Sequence, residues 1–364
     1  MHFVTFAVMK PQSEKPSILL IYTGGTIGMC ENPETGALQN YDFRRLISHV
    51  PEIRKFGYDI DVYTFEPPID SSDMQPRDWI ELVHIISSRY DEFDGFVVLH
   101  GTDTMAYTAS ALSFMLEGLG KPVVFTGSQL PIGMLRTDGK ENLLTSIEIA
   151  AARREDGSPM VPEVCVFFEN KLLRGNRTTK INAEGFNAFR SYNYPPLAEV
   201  GIHIKYNTHY IHYPADDVSF KPHYLMDNNL VVLTLFPGIR REAVANIVGI
   251  PGLRAVVLKT YGSGNAPQMP WFIKLLRQLE QRHILVVNIT QCSLGTVEME
   301  RYSTGQQLLQ TGIINGYDST VESMITKLMF LLGHNYSHRK IRMLMNQSVA
   351  GEVTIEEPSA LLHN

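Results

Sequence analysis

The stretch SILLIYTGGTIGM, residues 17–29, joins an apolar run to a loop rich in glycine and threonine. A run as uniformly apolar as SILLIY is typical of a strand buried on both faces, as the strands of parallel sheets are. Open α/β sheets keep their chemistry in the loops that leave the carboxyl ends of such strands. The stretch therefore predicts a parallel sheet with Thr26 in a loop at its carboxyl edge.

A second loop, HGTDTMAY (residues 100–107), follows another apolar run, GFVVL. One of Thr102, Asp103 and Thr104 is expected to cap the helix that follows. A cap needs only one polar side chain, which leaves the other two free to face a crevice. Positioned hydroxyls from Thr26 and Thr102 at one sheet edge suggest acyl transfer.

Strand-like and helix-like segments alternate along most of the chain, which predicts an α/β fold with a mostly parallel sheet flanked by helices. The alternation stops in a polar, aromatic stretch at residues 204–229, which we interpret as a linker. We predict a larger N-terminal domain over residues 1–203 and a smaller, Rossmann-like C-terminal α/β domain over residues 230–364. Strands are predicted at 18–22, 60–65, 96–99, 123–126, 164–168, 230–235, 255–259 and 284–289, and helices at 76–90, 104–119, 138–152, 240–248, 269–282, 305–311, 320–332 and 338–345.

The composition describes a soluble globular protein, with 364 residues, 44% hydrophobic residues and a net charge of −6. The chain is long enough to bury two cores. The 38 acidic residues outnumber the 32 basic ones and no basic run stands out, so nucleic acid is not an expected partner. Nucleotide binding and serine-histidine-aspartate hydrolysis are not supported either, because the chain has no GxGxxG, GxxxxGK[ST] or GxSxG motif.

The cysteines Cys30, Cys165 and Cys292 are odd in number and widely spaced, with no CxxC pair. This spacing favours a reducing compartment such as the cytoplasm over a disulfide framework or a zinc site. The N-terminal segment MHFVTFAVMK lacks the basic leading region and the cleavage site of a signal peptide. No apolar run approaches the roughly 20 residues that span a bilayer, so a membrane is not an expected partner.

The sequence PPIDSSDM, residues 67–74, places Asp70, Ser71 and Ser72 in a turn after a predicted strand. Serine hydroxyls and backbone N–H groups in such a turn suit a small carboxylate. Ordinary turn chemistry accounts for the same composition, so both interpretations stay open.

The sequence RGNRTTK, residues 174–180, ends in Lys180, whose ordinary interpretation is a solvated surface charge. A lysine brought near Thr102 and Asp103 has a second role open to it, as a group that exchanges protons. Burial would favour the neutral amine, whereas the nearby carboxylate would favour the charged form. The sequence therefore leaves the proton path open.

Several histidines lie in or near the predicted linker and raise the alternative of a metal site. No cysteine stands among them, and the nearest carboxylates follow a proline in a stretch without a helix or hairpin pattern. We therefore favour a plain surface linker, and we expect His100, beside the second loop, to be a core or supporting residue. The linker histidines are His203, His209, His212 and His223.

Taken in order, the four loops resemble those of the bacterial-type L-asparaginases, and of their cytoplasmic type I branch in particular. The resemblance implies a larger N-terminal and a smaller C-terminal α/β domain. It also implies hydrolysis of L-asparagine to L-aspartate and ammonia through a β-aspartyl ester, without a cofactor or a metal. The segments that carry it, between about residues 17 and 351, are YTGGTIGM, DSSDM, HGTDTMAYTASALSFMLEGLGKPVVFTGSQ, RGNRTTK, YGSGNAPQ and VVNITQC.

The resemblance also implies a role for each loop. Thr26 is expected to be the nucleophile, and Thr102, Asp103 and Lys180 are expected to handle protons and to activate water. Backbone N–H groups near Thr26 and Thr102 would hold the oxyanion. Asp103 would also pair with the α-ammonium of the substrate. The side chains expected to bind substrate are Asp70, Ser71, Ser72, Thr102, Asp103 and Asn265.

Relatives of this kind assemble as intimate homodimers, often paired into a homotetramer, and the resemblance implies the same here. Asn265 is then expected to reach the active site of the neighbouring subunit. Type I relatives also bind asparagine at a second, regulatory site. The residues expected to form it here are Thr179, Lys259, Thr290, Gln291 and Cys292.

Two positions depart from the family pattern. The lid after the first loop usually carries a tyrosine, but CENPETGALQN has none, so Tyr41 is the candidate substitute. Position 259 is lysine where the type I pattern has an arginine. A bidentate contact to a carboxylate is lost with that exchange, so effector binding is expected to be weaker or absent.

Two alternatives to an asparaginase stay open. A dual glutaminase-asparaginase differs only in accepting one more methylene, which is worth about 1–3 kcal/mol in a pocket. A catalytically silent asparagine sensor would keep the binding residues alone. The presence of Thr26 together with Thr102, Asp103 and Lys180 argues against the sensor, which has no need of all four.

Overall fold

The computed structural model describes residues 15–31, 38–40, 50–215, 217–301 and 303–355. Two features of the sequence analysis, the N-terminal segment MHFVTFAVMK and Tyr41, lie outside the described residues. Within the described ranges, no helix combines the length and the apolar character that a bilayer crossing requires.

Strands and helices alternate in the order that the sequence predicts. In chain order the strands are β1 (Ser17–Tyr22), β2 (Met29–Glu31), β3 (Leu38–Asn40), β4 (Asp59–Thr64), β5 (Gly95–Leu99), β6 (Leu116–Glu117), β7 (Val123–Thr126), β8 (Val164–Phe168), β9 (Lys171–Arg174), β10 (Thr179–Lys180), β11 (Phe189–Arg190), β12 (Ala198–Val200), β13 (Ile204–Tyr206), β14 (Lys221–Pro222), β15 (Leu230–Thr234), β16 (Ala255–Thr260), β17 (Leu285–Thr290) and β18 (Ile314–Asn315). The α-helices are α1 (Pro76–Ser88), α2 (Met105–Met115), α3 (Gly139–Ala151), α4 (Arg241–Val248), α5 (Pro270–Gln281), α6 (Ser303–Leu309), α7 (Val321–Gly333) and α8 (His338–Met345).

The predicted α/β fold class is confirmed. The larger sheet has the order β13-β12-β9-β8-β7-β5-β1-β4, in which the strands from β8 to β4 run parallel and the other three are antiparallel. The smaller sheet, β15-β16-β17-β18, is parallel throughout. The predicted domain limits stay a prediction.

The position of β1 explains why the site forms where it does. Within the larger sheet the chain continues from β1 to β4 on one side and from β5 to β7 on the other, so the connections that leave β1 and β5 run in opposite directions. Such a divergence opens a crevice at the carboxyl ends of the strands. The register pairs Tyr22 with both Leu99 and Thr64, so the three strands end level with one another.

The buried residues of α1 have the spacing expected of a helix that packs one face against a core. On α1, Trp79, Leu82, Val83 and Ile86 are buried, which is the spacing of one helical face. The backbone N–H of Gln75 donates to Asp78 Oδ2 at 2.7 Å and so closes the start of α1.

Helix α2 is buried on nearly every side because the larger sheet covers one face and α7 covers another. Leu112 of α2 and Leu328 of α7 belong to one buried cluster that extends to Val257 in the smaller sheet. The rings of Phe114 and Phe330 stack at 6.2 Å between centroids across the same contact. The two sheets are therefore joined by a continuous apolar core.

Two predictions of local structure differ from the structure. The helix predicted to end at residue 119 ends at Met115, because Leu116 and Glu117 leave it to pair with β14. The predicted linker at residues 204–229 also contains regular structure. Its first three residues form β13, the edge strand of the larger sheet, and its later part supplies β14.

Candidate active site

The loop after β1 is held tightly against its neighbours. The backbone N–H of Thr23 donates to the carbonyl of Leu99 at 3.0 Å, and the carbonyl of Thr23 accepts from Ile69 N–H at 2.7 Å. Gly24 and Gly25 have φ values of 137° and 94°, which side chains other than that of glycine rarely adopt. These contacts explain why the sequence needs two glycines directly before Thr26.

Thr26 begins a single 3₁₀ turn, Thr26–Gly28, and its side chain is half-buried. A Cβ built on Gly25 would lie 2.5 Å from the Cα of Gly101. The backbone of the first loop thus touches the backbone of the second loop one residue before Thr102. The structure therefore brings the Thr26 turn and the Thr102 loop to one place at the carboxyl edge of the sheet.

The second loop meets Lys180. Its Nζ donates to Thr102 Oγ1 at 2.8 Å and to Asp103 Oδ1 at 2.6 Å. The Lys180 side chain is 19% exposed, whereas the Asp103 side chain is 64% exposed. The ammonium is therefore enclosed between a hydroxyl and a carboxylate, and the carboxylate keeps one side open to an incoming ligand.

Thr104 occupies the N-cap position of α2 without forming the side-chain bond expected of a cap. Its hydroxyl donates instead to the carbonyl of Ser71 at 2.6 Å. A Cβ on Gly101 would collide with the Ser71 hydroxyl. Through Thr104 and Gly101, the second loop therefore packs against the turn of residues 70–72, the third of the predicted loops.

Within that third loop, Asp70 and Ser72 are exposed and Ser71 is buried. Asp70 Oδ1 accepts from both the N–H and the hydroxyl of Ser72, each at 2.9 Å. The turn chemistry is therefore observed, and carboxylate binding by this loop stays a prediction. The turn is closed by its own side chains, and the Ser71 hydroxyl is placed against the catalytic loop.

His100 is buried and forms hydrogen bonds at both ring nitrogens. Nδ1 lies 2.7 Å from the carbonyl of Gly101, and Nε2 lies 2.9 Å from Thr108 Oγ1, which in turn accepts from Trp79 Nε1 at 3.1 Å. The carbonyl requires a proton on Nδ1, so Nε2 accepts from Thr108 in a neutral ring. Burial lowers the pKa of His100 to about 4, and the structure places it as the supporting residue that the sequence predicts.

Gln129 is a site residue that the sequence analysis missed. Its Nε2 donates to the carbonyl of Gly185 at 3.0 Å, and its Oε1 accepts from Thr102 Oγ1 at 3.5 Å. Gln129 also lines an open cavity of about 940 Å³ with Met134 and Phe186. It follows the end of β7, so the strand-end argument that found Thr26 and Thr102 applies to it equally.

The predicted regulatory residues line one cavity of about 100 Å³. The cavity walls carry charges of both signs, Lys259 and Arg177 against Glu322 and Asp318, and Arg177 Nη1 lies 2.8 Å from Asp318 Oδ2. Mixed charge of this kind suits a zwitterion. The five predicted residues that line it are Thr179, Lys259, Thr290, Gln291 and Cys292.

Asn265 lies in the turn that follows β16. Its backbone N–H donates to the carbonyl of Tyr261 at 2.8 Å, and its Oδ1 accepts from Thr304 Oγ1 at 2.8 Å. Among the described residues, no hydrogen bond joins it to the loops of Thr26 and Thr102. Its expected role in the active site of a neighbouring subunit stays a prediction.

The linker histidines take part in ordinary side-chain contacts. His223 Nε2 lies 2.6 Å from Glu117 Oε2, and His223 Nδ1 lies 3.1 Å from His334 Nε2. The ring of His209 packs edge-on against Tyr210. In the part of the chain that the structure describes, no group of three or more histidine, cysteine, aspartate or glutamate residues is arranged to hold a metal ion.

Comparison with known proteins shows which family the chain is similar to. Residues 17–212 match the family model "Asparaginase, N-terminal", and residues 229–345 match "Glutaminase/Asparaginase C-terminal domain". L-asparaginase 1 of Escherichia coli (strain K12) is 44% identical over 94% of this chain and 100% of its own length. The crystal structure of L-asparaginase I from Vibrio cholerae superposes with a TM-score of 0.85 at 41% identity, covering 94% of this chain and 100% of that one.

A relative with a different name, 60 kDa lysophospholipase of Mus musculus, is 37% identical over 95% of this chain and 64% of its own length. The fold, the loops and the matches together define an amide hydrolase. The chain belongs to the asparaginase family.

Proposed function

We propose that the chain is an L-asparagine amidohydrolase that works through a β-aspartyl ester on Thr26. The observation that carries the proposal is the contact of Lys180 Nζ with Thr102 and Asp103. This contact lies beside the place where Gly25 of the first loop meets Gly101 of the second. A nucleophile and a proton-handling group on separate loops of one sheet edge can carry out the two halves of an acyl transfer.

In the first half, the Thr26 hydroxyl attacks the side-chain amide carbon of asparagine. The carbonyl oxygen becomes an oxyanion, which backbone N–H groups near Thr26 and Thr102 stabilise. Collapse of this intermediate breaks the C–N bond. The amide nitrogen takes up the hydroxyl proton and leaves as ammonia, and the β-aspartyl ester remains on Thr26.

In the second half, water attacks the ester and restores the Thr26 hydroxyl. The set of Thr102, Asp103 and Lys180 takes the proton from the water and returns a proton to the leaving threonine oxygen. Thr102 Oγ1 lies between Lys180 Nζ and Gln129 Oε1 at 2.8 and 3.5 Å, which gives its hydroxyl a path to exchange protons with the lysine.

The open side of Asp103 suits the α-ammonium of the substrate, since an exposed carboxylate already held by Lys180 can accept a second cationic donor. The turn of Asp70, Ser71 and Ser72 would frame the α-carboxylate. The Ser71 hydroxyl supplies a donor there, since the N–H and the hydroxyl of Ser72 already bind Asp70. Recognition of both α-groups favours free amino-acid amides over peptides.

We further propose a cytoplasmic homodimer or homotetramer that L-asparagine regulates. Asn265 would complete the active site of the neighbouring subunit, as the family resemblance implies. The 100 Å³ cavity beside Lys259 would hold the regulatory asparagine. Cys165 and Cys292 are both free thiols, as the cytoplasm favours.

Ammonia release from asparagine and from glutamine, compared as kcat/KM, tests the proposal. We expect asparagine to be preferred, and equal values would support the dual glutaminase instead. Binding in a calorimeter without turnover would support the silent sensor. Fatty-acid release from lysophosphatidylcholine, measured alongside, would reveal the activity named for the mouse relative.

A titration of initial rate against asparagine tests the regulatory part separately. A sigmoidal curve is expected if Lys259 still permits effector binding. A hyperbolic curve would contradict regulation by the substrate.

A further inference from the structure

The two residues of β10 present their side chains to opposite sides, because successive side chains of a strand alternate. Lys180 contacts Thr102 and Asp103. Thr179 faces the other way, and its hydroxyl donates to Oε1 of Glu322 at 2.6 Å. Glu322 therefore sits directly behind the strand that carries the candidate catalytic lysine.

Glu322 is itself held firmly. It is only 6% exposed and lies in the first turn of α7, whose N-cap Thr320 accepts from Ser323 N–H at 3.1 Å. Helix α7 packs along α2. Tyr107 lies in the first turn of α2, and its pKa is raised by burial and, to a smaller extent, by the negative charge of Glu322.

These contacts form a closed path. Helix α2 follows the loop of Thr102 and Asp103, and α7 packs on α2. Glu322 on α7 binds Thr179. Lys180, the next residue, contacts Thr102 and Asp103 and so closes the path. Strand β10 pairs with β11 through only two residues, so its backbone pairing alone fixes it weakly. The hydrogen bond from Thr179 to Glu322 supplies the missing anchor on the far side.

The packing of α7 does not require a carboxylate at position 322. Its second oxygen, Oε2, is buried and has no hydrogen-bond partner among the described residues. An apolar side chain of similar size would avoid the cost of burying that oxygen. The hydroxyl that this carboxylate holds leads to Lys180.

We propose that Glu322 is a positioning residue for the hydrolysis. By accepting the hydrogen bond of Thr179, it fixes β10 so that Lys180 Nζ stays between Thr102 and Asp103. Glu322 contacts neither the substrate nor the reacting atoms and acts through Thr179. The inference rests on the proposed function.

Glu322→Leu and Glu322→Gln, assayed for ammonia release from asparagine, test the proposal. The leucine variant removes the acceptor, and we expect kcat to fall about tenfold or more because a small displacement of a proton-handling group is costly. The glutamine variant keeps a carbonyl oxygen for Thr179, and we expect its kcat to stay within about twofold of the wild type. KM is expected to change little in both, since the groups that bind the substrate are untouched.

Thr179→Val and Thr179→Ser provide the same test without altering the buried acid. We expect the valine variant to lose as much kcat as Glu322→Leu, and the serine variant, which keeps the hydroxyl, to lose clearly less than the valine variant. The double variant Thr179→Val with Glu322→Leu should be no slower than either single variant, because both remove one bond. Full additivity of the two losses would overturn the proposal.

Thr326→Val is a matched control on α7. Its hydroxyl donates to the carbonyl of Glu322 within the helix at 2.9 Å and does not lead to β10. We expect its kcat to equal that of the wild type. A loss equal to that of Glu322→Leu would mean that kcat follows any disturbance of α7, which would overturn the proposal.

The cavity that Glu322 lines needs its own control, because a lost effector would also lower the rate. Glu322→Leu is therefore compared in the wild-type and in the Lys259→Met background. If Glu322 positions Lys180, kcat should fall by the same factor in both backgrounds. A smaller decrease in kcat in the Lys259→Met background would assign the effect to the cavity and overturn the proposal. A wild-type protein without asparaginase activity would refute the proposed function instead, and so the two failures are distinguishable.

Discussion

Lys180 Nζ lies 2.8 Å from Thr102 Oγ1, although 78 positions separate the two residues in the chain. Asp103 binds the same ammonium at 2.6 Å, so three side chains from two loops form one hydrogen-bonded set. The set lies beside the turn of Thr26, at the carboxyl ends of the paired strands β1 and β5. This arrangement separates a candidate nucleophile from the candidate groups that move its protons.

Lys180→Met removes the ammonium while keeping most of the side-chain volume. We expect kcat for asparagine to fall about 100-fold or more, since proton transfer by a positioned side chain contributes roughly that much. Ammonia release measures the change. Lys171→Met, at an exposed position on β9, is the control and should keep wild-type activity; a Lys180→Met enzyme as fast as this control would remove the lysine from the mechanism.

Gly25→Ala places a Cβ 2.5 Å from Gly101 Cα, at a φ of 94°. Both the close contact and the positive φ disfavour a side chain at this position. We therefore expect the free energy of unfolding to fall by about 2 kcal/mol or more, and activity to fall with it. Urea unfolding measures the change. Gly201→Ala, where nothing lies within 4 Å of the new Cβ, should stay within about 0.5 kcal/mol of the wild type; equal stability of both variants would show that the first two loops are not in contact.

Buried His100 makes stability depend on pH. Its pKa is lowered to about 4 in the folded protein, so between pH 6.5 and 4 the unfolded chain binds a proton that the folded one does not. The free energy of unfolding therefore falls as the pH falls through this window, by roughly 3 kcal/mol from this residue. Denaturant unfolding of wild type and of His100→Asn at several pH values measures it, and identical pH slopes for the two proteins would contradict the neutral, buried ring.

Lys327 and Glu352 form an ion pair at 2.6 Å with both side chains 1% exposed. Burial lowers the pKa of Lys327, and the negative charge of Glu352 opposes that shift. Glu352→Gln leaves the ammonium buried without a counter-charge, so we expect a loss of about 3–5 kcal/mol in urea unfolding. Glu242→Gln, in the exposed pair with Arg240, should change stability by less than about 1 kcal/mol; losses of equal size would mean that the Lys327 pair is not buried in solution.

The parts of the site that lie at strand ends could be predicted from the sequence. Thr26, Thr102 and Asp103 follow apolar runs directly, so the strand pattern fixes their place at one sheet edge. Gln129 obeys the same rule after β7. Local pattern alone therefore indicated three of the side chains that meet here, and the same rule applied to β7 would have indicated the fourth.

Other parts depend on how distant segments pack, which local pattern does not encode. Lys180 follows a hairpin and one short 3₁₀ turn, so the sequence alone leaves it among the surface charges, and the family resemblance supplied its role. Glu322 is hidden because an acid in the first turn of a helix is expected from the helix dipole alone. Strand β13 was missed because it is a three-residue edge strand with a polar centre.

The central claim is that Thr26 carries the acyl group, and ammonia release from asparagine by Thr26→Ala beside the wild type tests it most directly. The alanine variant should keep the fold and the binding of asparagine, because the turn of Thr26–Gly28 is closed by its backbone. We predict ammonia release by the wild type and a loss of activity of about 1,000-fold or more in the variant. A folded Thr26→Ala enzyme that releases ammonia at the wild-type rate would contradict the account.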